Sequence, residues 1–359
     1  MKRFLSAFLL LSQFAFGQNN SNEMARKMAK QAIVLMDKGN FQESIKLLEK
    51  AHELDSSVID YEYEIGYAYY LKKEFDKAVK ILSKISEKKG LHDQFFQLLG
   101  SCYDYLGDFQ KAISIYEKGL KNFPSSGALW GEIGVTLLRQ KELAKALSYF
   151  EKGIEVAPLH ASNYYWASKI YFSSSKEVWG IIYGELFMNL ERNSVRTSEI
   201  SRLIYSSFKR NILLKEGHLA EITFTTPSLK PEIYENDLQH DGRKFEIKVF
   251  AQGLMEVMDK VNEINIESLS VIREDFIKGY FSKQLNTDYP NALFNFQKKV
   301  MDAGFSKAYS YWILRSGDPE KASKWVEQNR NYWSNFIKWF GQNKLQITQS
   351  DTFRRQQNQ

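Results

Sequence analysis

Histidine is the side chain whose charge changes near neutral pH, so the histidines are the first place to look for chemistry. His52, His92, His160, His218 and His240 are scattered along the chain. No two stand four apart with a glutamate alongside, as a helical zinc-protease site requires. His240 and Asp241 are adjacent and could form an acid–base couple, but Gly242 beside them gives this stretch the composition of a solvated turn. No glycine-rich loop ends in Gly-Lys-Ser/Thr to cradle a phosphate, and no EF-hand calcium loop is present. The single cysteine, Cys102, cannot make an internal disulfide and reads as a small core thiol. The residues therefore define no catalytic, metal or cofactor site, and the expectation is a protein that is not an enzyme.

Contact surface is better supplied than chemistry. Twenty Tyr and 25 Phe raise the aromatic share to 14%. Tyrosine offers a large contact area at low entropic cost, with a hydroxyl to hydrogen-bond. Which tyrosines face a partner depends on the elements that carry them.

Those elements repeat every 34 residues. A frame opened at Ala25 keeps register four times without a gap, giving units 25–58, 59–92, 93–126 and 127–160. Ala32, Gly66, Gly100 and Gly134 fall in one column, and Phe41, Phe75, Phe109 and Leu143 in a second. Ser44, Ala78, Ala112 and Ala146 form a third, and Leu48, Leu82, Tyr116 and Phe150 a fourth. A fixed period of this kind marks a solenoid. Each unit reads as two amphipathic helices around a short turn. In the third, apolar spacing predicts helices over 93–106 and 109–122, with the turn at Gly107-Asp108 and a stop at Pro124. The small-residue columns mark where helices approach most closely.

The first 17 residues stand apart. Lys2 and Arg3 precede an apolar run from Phe4 to Phe16, and Ala15-Phe16-Gly17 has the small residues of a cleavage site. This is the pattern of a secretory signal peptide, with Gln18 opening the mature chain. Residues 18–24 then read as a linker. The expected location is the periplasm or outer-membrane periphery of a bacterium, or secretion. No later run is long and apolar enough to span a membrane. The formal net charge is +6, of which Lys2 and Arg3 supply two. Spread over the chain, that charge gives no clustered basic face for nucleic acid.

The repeat resembles the tetratricopeptide repeat (TPR), most clearly in the fourth unit, where Trp130, Ile133, Gly134, Leu137, Leu143, Ala146, Phe150 and Pro158 match that family's spacing. Lys73 and Lys141 stand where the family usually has a turn glycine, and Gly119 and Gly153 where it usually has alanine. The resemblance implies a mostly α fold, a right-handed α-solenoid of TPR helix pairs. A degenerate fifth unit follows over 161–193, with helices from Ser162 to Phe172 and from Val178 to Asn189. The resemblance further implies a concave face built from set positions of each first helix. Here these are Tyr63, Tyr67 and Tyr70; then Gln94, Gln97 and Tyr105; then Arg139; then Tyr165 and Lys169. These side chains either bind a protein or peptide partner or only cover the inner helix layer. A carboxylate clamp of the kind some family members use is not expected, because its lysine and asparagine positions hold Ala29 and Ile33.

Beyond about Ser194 the period is no longer visible, and 194–345 reads as an α-rich C-terminal domain. One helix is predicted over 199–214. Alternation over 220–226, around Ile222 and Phe224, and over 244–250, at Phe245, Ile247 and Val249, predicts two short strands that pair as a small antiparallel hairpin, with Pro227, Pro231, Asn236 and Asp241-Gly242 as loop chemistry between them. Further helices are predicted over 251–263, 267–283, 290–302, 305–315, 319–329 and 331–342, and a disordered tail over 346–359. The leading functional reading is an exported, non-catalytic adaptor holding a protein or peptide on its concave face, in envelope complex assembly. Two alternatives place activity in the C-terminal half. One is an enzyme with a deep pocket there. The other is a glycan-binding module that displays Trp312, Trp325, Trp333 and Trp339 exposed and coplanar.

Overall fold

The computed structural model describes residues 20–224, 245–258 and 261–357. The signal-peptide stretch 1–17, the loop residues Pro227, Pro231 and Asn236, and the pair His240-Asp241 lie outside these. The chain is mostly α, as the repeat implies. The described residues divide into two compact units, with the boundary between Ile115 and Tyr116, whereas the repeat frame set its boundary at 193/194.

The first unit holds α1 (Asn20–Asp37), α2 (Phe41–Leu54), α3 (Ile59–Leu71), α4 (Phe75–Ile85), α5 (Asp93–Tyr105) and the start of α6 (Phe109–Asn122). The expected linker 18–24 is already helical from Asn20 onward. Successive helices pack as neighbours from α1 to α5. Cys102 is buried on α5, and burial pushes its thiol up to about 12.

The turn between paired helices recurs with the 34-residue period. Gly39, Lys73, Gly107 and Lys141 all have positive φ, at 83°, 62°, 83° and 63°. The next residue's N–H reaches back to the carbonyl five residues earlier: Asn40 to Leu35, Glu74 to Tyr69, Asp108 to Tyr103 and Glu142 to Leu137, at 2.9–3.0 Å. A second bond closes inside it, as from Lys73 N–H to Tyr70 O at 2.9 Å. This is a Schellman close, which satisfies the last carbonyls of the first helix. It also fixes where the second helix starts. Close helix approach is visible at Gly66, where an added Cβ would lie 2.6 Å from Leu82, and at Gly134, where it would lie 2.5 Å from Phe150.

The second unit continues with α7 (Gly127–Arg139), α8 (Leu143–Val156), α9 (Ala161–Phe172), α10 (Glu177–Leu190) and α11 (Val195–Asn211). Every residue of α10 from Val178 to Asn189 is buried. A helix buried on all sides belongs at the centre of a domain, and α10 packs against α9, α11 and α15 (Ala292–Asp302). α11 packs on α9 and α10. It joins α9 through Arg196 to Ser162 at 3.1 Å and Tyr165 to Glu199 at 2.6 Å, both pairs 34 residues apart. The repeat's spacing therefore persists one helix past Ser194, where sequence columns no longer show it.

α11 ends at Asn211, short of the predicted 214. β1 (Ile212–Lys215) and β2 (His218–Ile222) then form an antiparallel hairpin. Its two-residue turn, Glu216-Gly217, has positive φ at both positions, as a type I′ turn needs. The predicted pairing of 220–226 with 244–250 is replaced by this tighter one. Phe245–Ala251 is a π-helical segment with all but Lys248 buried. Its period-two pattern came from burial on most sides, not from a strand. It runs into α12 (Gln252–Met255), shorter than the helix expected over 251–263. α13 (Ile266–Ser282) follows, capped by Asn265. Then come α14 (Leu285–Asp288), α15, α16 (Ser306–Leu314), α17 (Pro319–Gln328) and α18 (Arg330–Gln342). Of the tail expected to be disordered over 346–359, the described part, 346–357, is packed instead. Leu345, Ile347 and Phe353 are buried, and Arg355–Gln357 forms a 3-10 turn. Three spaced apolar residues in a polar stretch anchor it.

Candidate functional site

The Schellman close of the second repeat organises an aromatic strip. Tyr67 and Tyr70 lie three apart on α3, with rings stacked at 6.3 Å and 14°. The turn at Lys73 brings Phe75, the first residue of α4, edge-on to Tyr70 at 5.7 Å. Tyr105, at the end of α5, stacks on Phe75 at 4.7 Å and 5°, and meets Tyr70 at 5.8 Å. Tyr105 is 50% exposed, while Tyr67, Tyr70 and Phe75 are half-buried. Aromatic pairs in such geometries contribute about 0.5–1.5 kcal/mol beyond burial, which holds the rings in place. Beside the strip, Glu74 pairs with Lys72 and Lys77, each at 2.7 Å. Hydrogen bonds from these two lysines hold the Glu74 carboxyl below its ordinary range.

The other first-unit positions lie toward the start of these helices. Tyr63 is half-buried edge-on to His92 at 5.0 Å, and burial raises its phenol. Gln94 is exposed and Gln97 half-buried on the first turns of α5. In the second unit, Arg139 is exposed at the end of α7. Tyr165 and Lys169 are covered by α11. Tyr165 donates to Glu199, Lys169 pairs with Glu199 at 2.7 Å, and the Arg196 guanidinium lies 4.9 Å over the Tyr165 ring. Sequence mapping missed Phe75 as a contact residue. Its column was visible, but only the turn geometry places it between two tyrosines.

The C-terminal half does bring ionisable groups together. Arg273 of α13 donates to both oxygens of Glu185 on α10 at 2.8 and 2.9 Å. Tyr309 and Gln297 donate to the same carboxylate at 2.9 and 2.5 Å, and Asn189 donates to Tyr309 at 2.7 Å. Glu185 is fully buried. The space beside it is walled by Phe208, Phe250, Phe276 and Phe294 and is small enough to suit a water molecule. One guanidinium and two neutral donors thus engage this carboxylate inside the core. Among the described residues no three His, Cys, Asp or Glu side chains converge as a metal site. The coplanar tryptophan platform is not formed by the residues named for it. Trp312 is buried, and Trp325 meets Trp333 at 85° while stacking on buried Tyr311 at 4.1 Å.

Residues 37–119 match the family model described as Anaphase-promoting complex, cyclosome, subunit 3. Residues 98–161 match that of the Tetratricopeptide repeat. The two matches together span the stretch that carries the aromatic strip. No curated protein matches the chain. Among solved structures, MamA is 18% identical with a TM-score of 0.39, over 45% of this chain and 94% of that one. YrrB, a TPR protein with an unusual peptide-binding site, is 18% identical with a TM-score of 0.37, over 50% and 95%. Pseudomonas aeruginosa PilF is 17% identical with a TM-score of 0.46, over 53% and 86%.

Proposed function

We propose that this chain is an exported, non-catalytic adaptor. It holds a protein or extended peptide on the first-helix face of its repeats, in the assembly of a bacterial envelope complex. The observation that carries the reading is the strip of Tyr67, Tyr70, Phe75 and Tyr105. Four preorganised rings with one face open suit a partner's apolar side chains and backbone, because ordering them costs little on binding. The paired charges of Lys72, Glu74 and Lys77 beside the strip suit a polar rim. Export rests on the composition of residues 1–17.

The test is affinity capture from the native envelope by the chain from Gln18 onward, with a Tyr67→Ala/Tyr70→Ala variant alongside. A partner held by the first and released by the second supports the reading. Central tyrosines of such a surface are worth about 2 kcal/mol or more, roughly a 30-fold loss of affinity. Equal retention by both proteins overturns it. Export is checked separately by N-terminal sequencing of the chain from the periplasmic fraction, with Gln18 as the expected first residue. An intact leader on a cytosolic chain would refute it.

A further inference from the structure

A second cluster of aromatic and acidic side chains lies on α8, α9 and α10, and a segment of this chain already occupies it. Phe353 is fully buried with its ring 6.3 Å from Tyr164. The backbone N–H of Arg355 donates to the Tyr183 hydroxyl at 3.1 Å. Its side-chain Nε reaches Glu151 Oε1 at 3.4 Å, the oxygen that also accepts from Tyr171 at 2.5 Å. Arg354 pairs with Glu155 at 3.4 Å. Gln349 donates to the carbonyl of Val156, the last residue of α8, at 2.6 Å. Glu151 is only 6% exposed, and a carboxylate that deep needs a cation.

The occupying segment is closed on itself. The Gln357 side-chain oxygen accepts from the N–H groups of Phe353 and Arg354, both at 3.0 Å, and its amide donates to Asp351 O at 3.1 Å. Its tie to α15 is a bond from Ala292 N–H to Thr352 O at 2.7 Å. A short, self-closed segment whose ring and two guanidinia point into an aromatic, acidic recess has the form of a bound peptide. We propose that Glu151, Glu155, Tyr164, Tyr171 and Tyr183 form a second peptide-binding site, separate from the aromatic strip. It takes a partner protein's segment bearing an aromatic residue followed by two arginines, and Phe353, Arg354 and Arg355 fill it in cis. The tethered segment acts at an effective concentration on the order of mM, so an outside segment must exceed that to enter.

The experiment uses a labelled synthetic peptide of residues 349–357 and the full chain. Phe353→Ala/Arg355→Ala empties the site from within. The peptide should bind this variant at least tenfold more tightly than it binds wild type, and adding Glu151→Gln should remove the gain. No binding to a variant that keeps its helical circular dichroism and still melts cooperatively overturns the proposal. If that variant does not fold, Arg354→Ala/Arg355→Ala, which keeps the buried ring, is titrated in its place. Failure of the peptide to bind it better than wild type then shows that the segment is part of the core.

Discussion

Lys73 and Lys141 hold a left-handed backbone where Gly39 and Gly107 do so in the other two turns. A side chain in this region costs about 1–2 kcal/mol, partly offset by the extra freedom a glycine would regain on unfolding. Lys73→Gly and Lys141→Gly should therefore each stabilise the chain, by about 0.5 kcal/mol net. Urea titration at unchanged m-value would show it, and a lowered midpoint would mean that the lysine side chain is bound. The opposite sign is expected at Arg273. Truncation to Met strands the buried Glu185 carboxylate and should cost about 3–5 kcal/mol. Replacing Glu185 with Leu in the same chain should recover part of that, by thermal melting. Burial raises the Tyr309 phenol well above its ordinary range, so it remains a donor to Glu185 across the working pH range.

At the scale of elements, the close helix contacts are the sensitive points. Gly134→Ala would set a methyl against the Phe150 ring, and overpacking of this kind costs about 1–3 kcal/mol. A melting temperature within a degree of wild type would refute the close approach. The contact of α11 with α9 should respond to acid. Burial alone would raise Glu199, but hydrogen bonds from Lys169 and Tyr165 outweigh it and leave the carboxyl below its ordinary value. A lowered folded pKa contributes stability above the unfolded value, and that stability is lost as pH falls through the folded one. Protection of amides in α9 and α11, taken relative to the intrinsic exchange rate at each pH, should thus hold while Glu199 is ionised and fall once the pH drops below the ordinary carboxylate range. Protection that stays uniform through the whole acid titration would show that packing alone holds α11. These helices also mark how far the sequence could be read. Period and column chemistry made α1 to α10 and their turns legible, because each unit repeats the same packing problem. α11 escaped the columns because its spacing survives in polar pairs rather than in small residues. The hairpin was misplaced because Phe245, Ile247 and Val249 alternate within a segment buried on most sides, while the positive-φ pair Glu216-Gly217 went unread. Of the named surface, Tyr67, Tyr70 and Tyr105 do converge. Tyr165 and Lys169 are occupied by a helix whose position no single-repeat mapping could supply.

For the molecule as a whole, the charge of +6 on 359 residues predicts no retention on a polyanion. The chain should pass through immobilised DNA at about 150 mM salt without delay, and salt-dependent retention would reveal a basic face that composition hides. The lone thiol gives a different kind of access. The thiolate is the reactive form, and Cys102 is both buried and shifted to about 12. A disulfide reagent therefore reacts only in the moments when α5 comes away from its neighbours. Colour release from such a reagent is then a clock for the breathing of the third repeat, built in without a dye or an engineered site. Cys102 lies on the same helix as Tyr105, so a partner seated on the aromatic strip slows that clock, and one bound elsewhere leaves it running at its own rate.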